Sequence, residues 1–175
     1  MPAEPQILRR ASDPLPAPGI VHLGLGAFFR AHGAIYIEEA MAASGGDWGI
    51  VGVSLVSSGQ RDALAPQQCL YHAVEQGPGG ERARLVGVVQ QVLVARENPQ
   101  AVLELLAEPG IRIVTLTITE KGYCHEPSTG RLDPRHPDIV HDIAEPLPLT
   151  APGYLVRALA ARRAAGIAPF TVLTC

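Results

Sequence analysis

Two glycines near the start of the chain have the spacing of a phosphate-binding turn. Gly24 and Gly26 follow a short apolar stretch, residues 20–23, and precede a segment of helical pattern. Glycine lets a backbone turn sharply and lets a ligand approach closely, and the first N–H groups of a following helix point at a bound anion. The pattern therefore predicts a phosphate seat built from the backbone of these glycines together with Ala27 and Phe28.

The neighbouring residues leave the turn open to two interpretations. Arg30 is placed either to add positive charge to a phosphate or to lie in solvent, as most arginines do. A dinucleotide fingerprint has a third glycine, which would fall at position 29, where this chain has Phe29. A glycine turn that merely joins a strand to a helix is therefore the alternative to a ligand site.

A second polar cluster follows the most regular strand pattern in the chain, residues 111–119. Thr119 and Glu120 end that strand, and Gly122 turns the backbone shortly after them. At the end of a strand beside a dinucleotide, such residues would frame the nicotinamide ribose or a reacting carbonyl. A plain turn ended by glycine is the alternative, because such turns are common.

The end of the second predicted strand, residues 48–56, bears on cofactor choice. A carboxylate at this place holds the adenosine ribose of NAD. The chain instead continues with Ser57 and Ser58, followed by Arg61, which would tolerate a 2′-phosphate. The missing carboxylate weakens a strict preference for NAD, so we expect NAD as the cofactor and keep NADP as the alternative.

Other chemistries have little support in the sequence. The six histidines do not have the spacing of metal ligands. Cys124 and His125 are adjacent, but no third group orients them as a nucleophile and base. The segment 52–56 lacks the final glycine of a nucleophile elbow, so hydrolase chemistry is not expected. We assign no catalytic and no metal-ligating residue to this chain.

Composition indicates one globular domain. The chain has 175 residues, of which 47% are hydrophobic and 18% charged, and its net charge of −3 gives no basic field for nucleic acid. No apolar run has the length of a membrane span. The three cysteines are scattered and odd in number, which favours a reducing cytoplasm over a disulfide framework.

The order of predicted elements indicates the fold class. A proline-rich, irregular leader, residues 1–19, precedes a domain over 20–175 that ends on a strand. Strands alternate with helices at 27–44, about 99–108 and 151–165. The segment 84–94 has an apolar, strand-like pattern, and residues 124–150 are predicted to form a long loop. This alternation predicts an α/β fold with a doubly wound, mainly parallel sheet and helices on both faces, as in Rossmann-like domains. In that order the strand over 111–119 pairs with the first strand, which places the two polar clusters side by side.

Several segments together resemble the N-terminal domain of the mannitol dehydrogenase family, the long-chain polyol dehydrogenases and hexuronate reductases. The segments are Gly24-Leu25-Gly26-Ala27-Phe28-Phe29-Arg30-Ala31-His32, Gly52 to Leu55, Arg61 to Gln67, Thr115 to Tyr123 and Pro169 to Cys175. The resemblance implies NAD(P)-dependent, metal-independent interconversion of a polyol or hexonate with its keto sugar, on mannitol/fructose or fructuronate-like substrates. It places Gly24, Gly26, Ala27, Phe28 and Arg30 at the pyrophosphate, and Thr119 and Glu120 beside the nicotinamide.

The chain departs from the family pattern at three places. Phe29 stands where members usually have histidine, and Val56 where many have arginine or an acidic residue. Members continue beyond the equivalent of Cys175 into a helical domain that supplies a catalytic lysine. We therefore expect the cofactor-binding half of a dehydrogenase, inactive by itself and prone to self-association through uncovered apolar surface.

Two other functions remain open at this point. One is a non-catalytic nucleotide-binding or regulatory module of the same fold. The other is a methyltransferase, which has a similar glycine turn but normally also an acidic residue after the second strand, which this chain lacks.

Overall fold

A five-stranded parallel sheet forms the centre of the fold. The structure, a computed structural model, describes residues 7–11 and 15–175. The sheet strands are β1 (Pro18–Leu23), β2 (Gly49–Ser54), β5 (Val89–Val94), β6 (Ile113–Leu116) and β7 (Thr171–Thr174). Their order is β5-β2-β1-β6-β7, and every neighbouring pair is parallel. The predicted doubly wound sheet is confirmed, including the pairing of β1 with β6.

An antiparallel hairpin, six α-helices and two short 3-10 helices, Ala65–Gln67 and Glu120–Tyr123, complete the described part of the chain. The hairpin consists of β3 (Tyr71–Gly77) and β4 (Gly80–Val86). The helices are α1 (Ala27–Ala31), α2 (Gly33–Ser44), α3 (Gly59–Leu64), α4 (Pro99–Ala107), α5 (Pro137–Ala144) and α6 (Ala151–Ala164). Within the described part of the chain, no helix has the length and apolarity needed to cross a membrane.

Each face of the sheet has its own hydrophobic core, because successive strand residues point to opposite faces. Val21 and Leu23 of β1 face the core that α4 and α6 cover. Ile20 of β1 and Ile50 of β2 face the core that α1, α2, α3 and the hairpin cover. Strands β1 and β2 are therefore buried on both faces, which explains their nearly continuous apolar sequences.

The first helix is not continuous, in contrast to the single helix expected over 27–44. The break is at His32, whose φ of −132° and ψ of −74° are not helical, and whose N–H donates to the Phe29 carbonyl at 3.3 Å. Phe29 is buried in the core, and its ring lies against Gly33, the first residue of α2.

Two further expectations are corrected. The segment 84–94 is not one strand, because Val86 ends the hairpin and Val89 begins a strand of the central sheet. The segment 124–150 is not a structureless loop, because it contains α5. That helix begins after His136, whose ring accepts the Asp138 N–H at 3.3 Å, and it buries Ile139.

The expected leader lies partly outside the described residues. Within the described part, β1 begins at Pro18, two residues earlier than the boundary expected from sequence. Arg10 donates to the carbonyls of Gly87 and Val89 at 2.8 and 2.7 Å. This arginine therefore binds the backbone between the hairpin and the edge strand β5.

Gly33→Ala is expected to destabilise the fold, because a Cβ at this position would lie 2.5 Å from the Phe29 ring. The ring is buried and stacked flat on His22, so it has little room to move. We expect a loss of about 1–3 kcal/mol, the usual range for overpacking a core, in urea unfolding followed by circular dichroism. Gly59→Ala is the matched control, because a Cβ there meets no atom within 4 Å. Equal stability of the two variants would contradict this account of Phe29.

Candidate functional site

The glycine turn is fixed to the ends of two neighbouring strands. Gly24 has a φ of +91°, its N–H donates to the Val53 carbonyl at 2.8 Å, and its own carbonyl accepts the Gly26 N–H at 2.6 Å. A Cβ at position 24 would lie 2.8 Å from the Thr117 carbonyl oxygen. Both the backbone conformation and the space therefore require glycine at this position.

The outer side of the turn is open. A Cβ at position 26 would meet only the Gly24 carbonyl oxygen, at 3.7 Å. The first bond of α1 runs from the Arg30 N–H to the Gly26 carbonyl at 3.2 Å. The N–H groups of Ala27 and Phe28 precede that bond, so the helix itself provides them with no acceptor. An anion seated at the turn would therefore meet backbone donors on an accessible surface.

Arg30 braces the turn from the helix side. Its Nη1 donates to the Leu25 carbonyl at 3.0 Å and also bonds the side-chain oxygen of Gln60. The Arg30 carbonyl accepts the Tyr71 hydroxyl at 2.7 Å, which ties α1 to the hairpin. The guanidinium is therefore engaged with the turn, and its contact with a phosphate stays a prediction.

Thr119 and Glu120 lie at the same edge of the sheet as the glycine turn. The Thr117 N–H donates to the Leu23 carbonyl at 3.1 Å, which continues the pairing of β1 with β6 up to the turn. Thr119 and Glu120 follow at once and are exposed, and the Glu120 carboxylate lies 3.4 Å from Nε2 of His125. The structure thus brings the two predicted clusters together, while their contact with a ligand stays a prediction.

His22 is a site residue that the sequence interpretation missed. It is fully buried, and its ring stacks on Phe29 with 3.4 Å between centroids and 9° between planes. Its Nδ1 lies 2.6 Å from Oγ1 of Thr115, and its Nε2 lies 2.8 Å from Oγ1 of Thr117. Burial lowers the pKa of His22 to about 3, against the opposing effect of the Gly24 carbonyl, so the ring is neutral. The sequence did contain a signal for this residue, because a histidine inside an apolar strand, two residues before the turn, is unusual.

The fold brings two carboxylates to the end of β2, where the sequence interpretation found none directly after the strand. Arg61 forms ion pairs with Asp62 and with Glu97, which follows the neighbouring strand β5. The Ser58 hydroxyl donates to Asp62 at 2.6 Å, and this bond is the main cause that lowers the Asp62 pKa. No carboxylate follows β2 directly, but the fold supplies two from elements packed beside it.

An apolar cavity of about 160 Å³ lies close to this strand end. Leu55 follows β2 and Arg96 follows β5, and the buried Tyr154 of α6 completes the wall. Among the described residues, no group of three or more histidine, cysteine, aspartate or glutamate side chains gathers as a metal site. Cys124 is buried, and burial raises the pKa of its thiol, so it is a poor nucleophile.

Comparisons with known proteins agree with this geometry. A family model described as the mannitol dehydrogenase Rossmann domain matches residues 18–175. The mannitol 2-dehydrogenase of Cereibacter sphaeroides is 46% identical over 162 residues, which cover 90% of this chain and 34% of the relative. The uncharacterized oxidoreductase YeiQ of Escherichia coli is 48% identical over 159 residues, which cover 89% of this chain and 33% of the relative.

Solved structures of two dehydrogenases have the same fold as this chain. The Pseudomonas fluorescens mannitol 2-dehydrogenase, solved as a ternary complex with NAD and D-mannitol, has a TM-score of 0.85 and 44% identity. The match covers 91% of this chain and 33% of that one. A D-sorbitol dehydrogenase in substrate-free form has a TM-score of 0.86 and 41% identity, over 91% of this chain and 34% of that one. The chain thus spans about a third of the length of the relatives it matches.

Because His22 is neutral in the folded protein, we predict a specific loss of stability in acid. The pKa is lowered by folding from 6.5 to about 3, so protonation favours the unfolded chain. The contribution of His22 is present above pH 6.5 and is lost as the pH falls toward 3, at up to about 1.4 kcal/mol per pH unit. The measurement is the free energy of urea unfolding against pH for the wild type and His22→Gln. Their difference should shrink below pH 6.5, and a constant difference would contradict a depressed pKa.

Proposed function

The chain belongs to the mannitol dehydrogenase family, and we propose that it is the dinucleotide-binding domain of an NAD-dependent polyol oxidoreductase. The proposed reaction interconverts a polyol or hexonate with its keto sugar, on mannitol/fructose or fructuronate-like substrates. The observation that carries the proposal is the glycine turn, which is fixed to the sheet through Gly24 and open to a ligand at Gly26. A turn of this kind at the carboxyl edge of a parallel sheet is where dinucleotides bind.

The residues of the turn suit a diphosphate. Gly26 carries no side chain in the space where an anion would approach, and Ala27 and Phe28 provide backbone donors. Arg30 keeps a positive charge beside the turn while bracing it. The main-chain N–H groups would hold the diphosphate by hydrogen bonds, and Arg30 would add a positive charge close to it.

The two ends of the dinucleotide have separate supports. Thr119 and Glu120 would lie beside the nicotinamide, because they follow β6, which pairs directly with β1. The adenosine would lie toward β2 and β5, where the apolar cavity offers a wall for a flat ring. Arg61 and Arg96 balance the carboxylates of Asp62 and Glu97 there, so the charges at that end do not choose between the two cofactors. We propose NAD because the related mannitol 2-dehydrogenase of Pseudomonas fluorescens was solved with NAD, and NADP is the alternative.

The role of this domain in catalysis is positioning. A bound nicotinamide would supply the acceptor for a hydride from the carbon that carries the hydroxyl group. The substrate hydroxyl must lose its proton to a base in the same reaction. The family resemblance implies a lysine for that base, and no residue of this chain matches it. The chain therefore holds the cofactor and part of the substrate-facing edge, and the base lies elsewhere in a complete enzyme.

Small molecules are the proposed partners of this domain. They are NAD and the polyol or keto-sugar substrate. The net charge of −3 argues against nucleic acid as a partner. We also place the protein in the cytoplasm, because its three cysteines are free, as is usual in a reducing compartment.

Gly26→Val is expected to weaken NADH binding without harming the fold. The valine side chain would enter open space, so stability should change little, but it would fill the approach of the diphosphate. We expect at least a 10-fold rise in the Kd, measured by NADH fluorescence, from the loss of several backbone hydrogen bonds. Gly77→Val in the hairpin is the control, since a Cβ there meets no atom within 4 Å and the position is outside the turn. Unchanged affinity in Gly26→Val would refute the proposed phosphate seat.

The 175-residue chain by itself is expected to show no turnover. It contains the proposed cofactor site but no match for the catalytic lysine. The measurement is NADH formation from mannitol, sorbitol and hexonates at saturating NAD, with a full-length relative as the positive control. Substrate oxidation above the background by purified chain would show that the base lies within these residues.

We further propose that this chain self-associates through β7. That strand is at the edge of the sheet, all of its residues are exposed, and Leu173 retains 52% of its side-chain exposure. An unpaired edge with apolar side chains and no charge favours pairing with another copy. Size-exclusion chromatography should show a concentration-dependent shift that Leu173→Lys reduces. A single monomer peak at high concentration would argue against this surface.

A further inference from the structure

We propose that His22 is a positioning residue, which sets the glycine turn for the dinucleotide by orienting the Gly24 carbonyl through Thr117. The inference rests on the proposed function, since the turn is the proposed phosphate seat. His22 itself is buried beneath the turn and would touch neither cofactor nor substrate.

The direction of each hydrogen bond follows from the partners. Oγ1 of Thr117 lies 3.0 Å from the Gly24 carbonyl oxygen, which has no proton, so the threonine hydroxyl must donate there. The same Oγ1 lies 2.8 Å from Nε2 of His22, and it then accepts a proton from that nitrogen. Nε2 is also 3.3 Å from the Gly24 carbonyl oxygen, which again requires a donor. The ring is therefore the neutral tautomer with its proton on Nε2.

The other ring nitrogen completes the arrangement on the far side from the turn. Nδ1 carries no proton in this tautomer and accepts the Thr115 hydroxyl at 2.6 Å. His22 and Thr115 are opposite each other in the register of β1 and β6. The face of the ring is held by Phe29, stacked at 3.4 Å. The ring therefore has a fixed position in all directions, and its Nε2–H is a fixed donor.

The orientation of the Gly24 carbonyl decides where the next amide points. This oxygen accepts from the Gly26 N–H, from Thr117 and from His22, so its lone pairs are fully used. In a planar trans peptide the C=O and the following N–H point in opposite directions. The Leu25 N–H must therefore point away from His22 and Thr117. Leu25 is itself buried, so we infer that its peptide plane acts on the diphosphate indirectly, by setting the direction in which the turn continues to the open Gly26.

The test compares two threonines that contact opposite sides of the same ring. Thr117→Val removes the link to the Gly24 carbonyl, whereas Thr115→Val removes only the link to Nδ1. We expect the Kd for NADH to rise about 3- to 10-fold in Thr117→Val, the effect of one lost hydrogen bond, and less than about 2-fold in Thr115→Val. Thermal unfolding of both variants shows how much fold stability each has lost. Equal loss of affinity in both, or none in Thr117→Val, would overturn the inference.

Conservative variants separate positioning from general packing. Thr117→Ser keeps the hydroxyl and should restore wild-type affinity. His22→Gln keeps a donor where Nε2 lies and should bind NADH better than His22→Asn, whose shorter side chain reaches only toward Thr115. Affinity that followed thermal stability across these three variants, regardless of the donor, would show a merely structural role.

A measurement without cofactor distinguishes this inference from the proposed function. The ¹⁵N spectrum of the imidazole should show the proton on Nε2 near pH 7, and the Leu25 amide signal should shift more in Thr117→Val than in Thr115→Val. A proton on Nδ1, or equal Leu25 shifts, would refute the arrangement even if NADH binds. If the wild type bound no NADH while both signals behaved as expected, the proposed function would fail and the hydrogen-bond arrangement would stand.

Discussion

The constraint on which the rest of the structure depends is the attachment of Gly24 to two strands at once. Its N–H is bonded to the end of β2, and its Cα lies so close to the Thr117 carbonyl that no side chain fits. The turn is therefore part of the sheet edge and not a free loop. Because β1 lies between β2 and β6, every residue proposed for the cofactor is positioned relative to this one glycine.

The two cores make that edge rigid without occupying it. Helices α4 and α6 cover one face of the sheet, and α1 to α3 with the hairpin cover the other. Buried charges are paired with the backbone: Asp142 accepts the Thr150 N–H and hydroxyl at 3.0 and 2.6 Å, and Arg162 donates to the carbonyls of Leu106 and Ala168. These hydrogen bonds give the buried charged side chains polar partners. They also pair backbone groups that have no partner at the ends of helices and strands. The polar groups at the carboxyl edge are thus the ones left for a ligand.

The sequence predicted the fold class, the strand pairing and the glycine turn, because these depend on local patterns. Apolar runs, glycine stops and the Asn98 cap of α4, whose side chain accepts the Ala101 N–H at 3.0 Å, are visible within a few residues. The incorrect predictions lie where contacts between residues far apart in the sequence determine the secondary structure. The break at His32 depends on the packing of Phe29 in the core, and the division of segment 84–94 depends on which strand each half meets. The sequence interpretation missed helix α5, because a short apolar stripe with proline at both ends is also typical of a loop.

By itself, the sequence determined that a strand, a glycine turn and a helix follow one another, and that a polar strand end lies elsewhere in the same sheet. It also determined the family, through motifs that are contiguous in the chain. Only the tertiary structure decided that His22 would meet Thr115 and Thr117, which are 93 and 95 positions away, and that Glu97 would reach Arg61 from another strand. Such contacts arise from the register of paired strands. That register is set by burial of whole faces and is not encoded in the residues beside either partner.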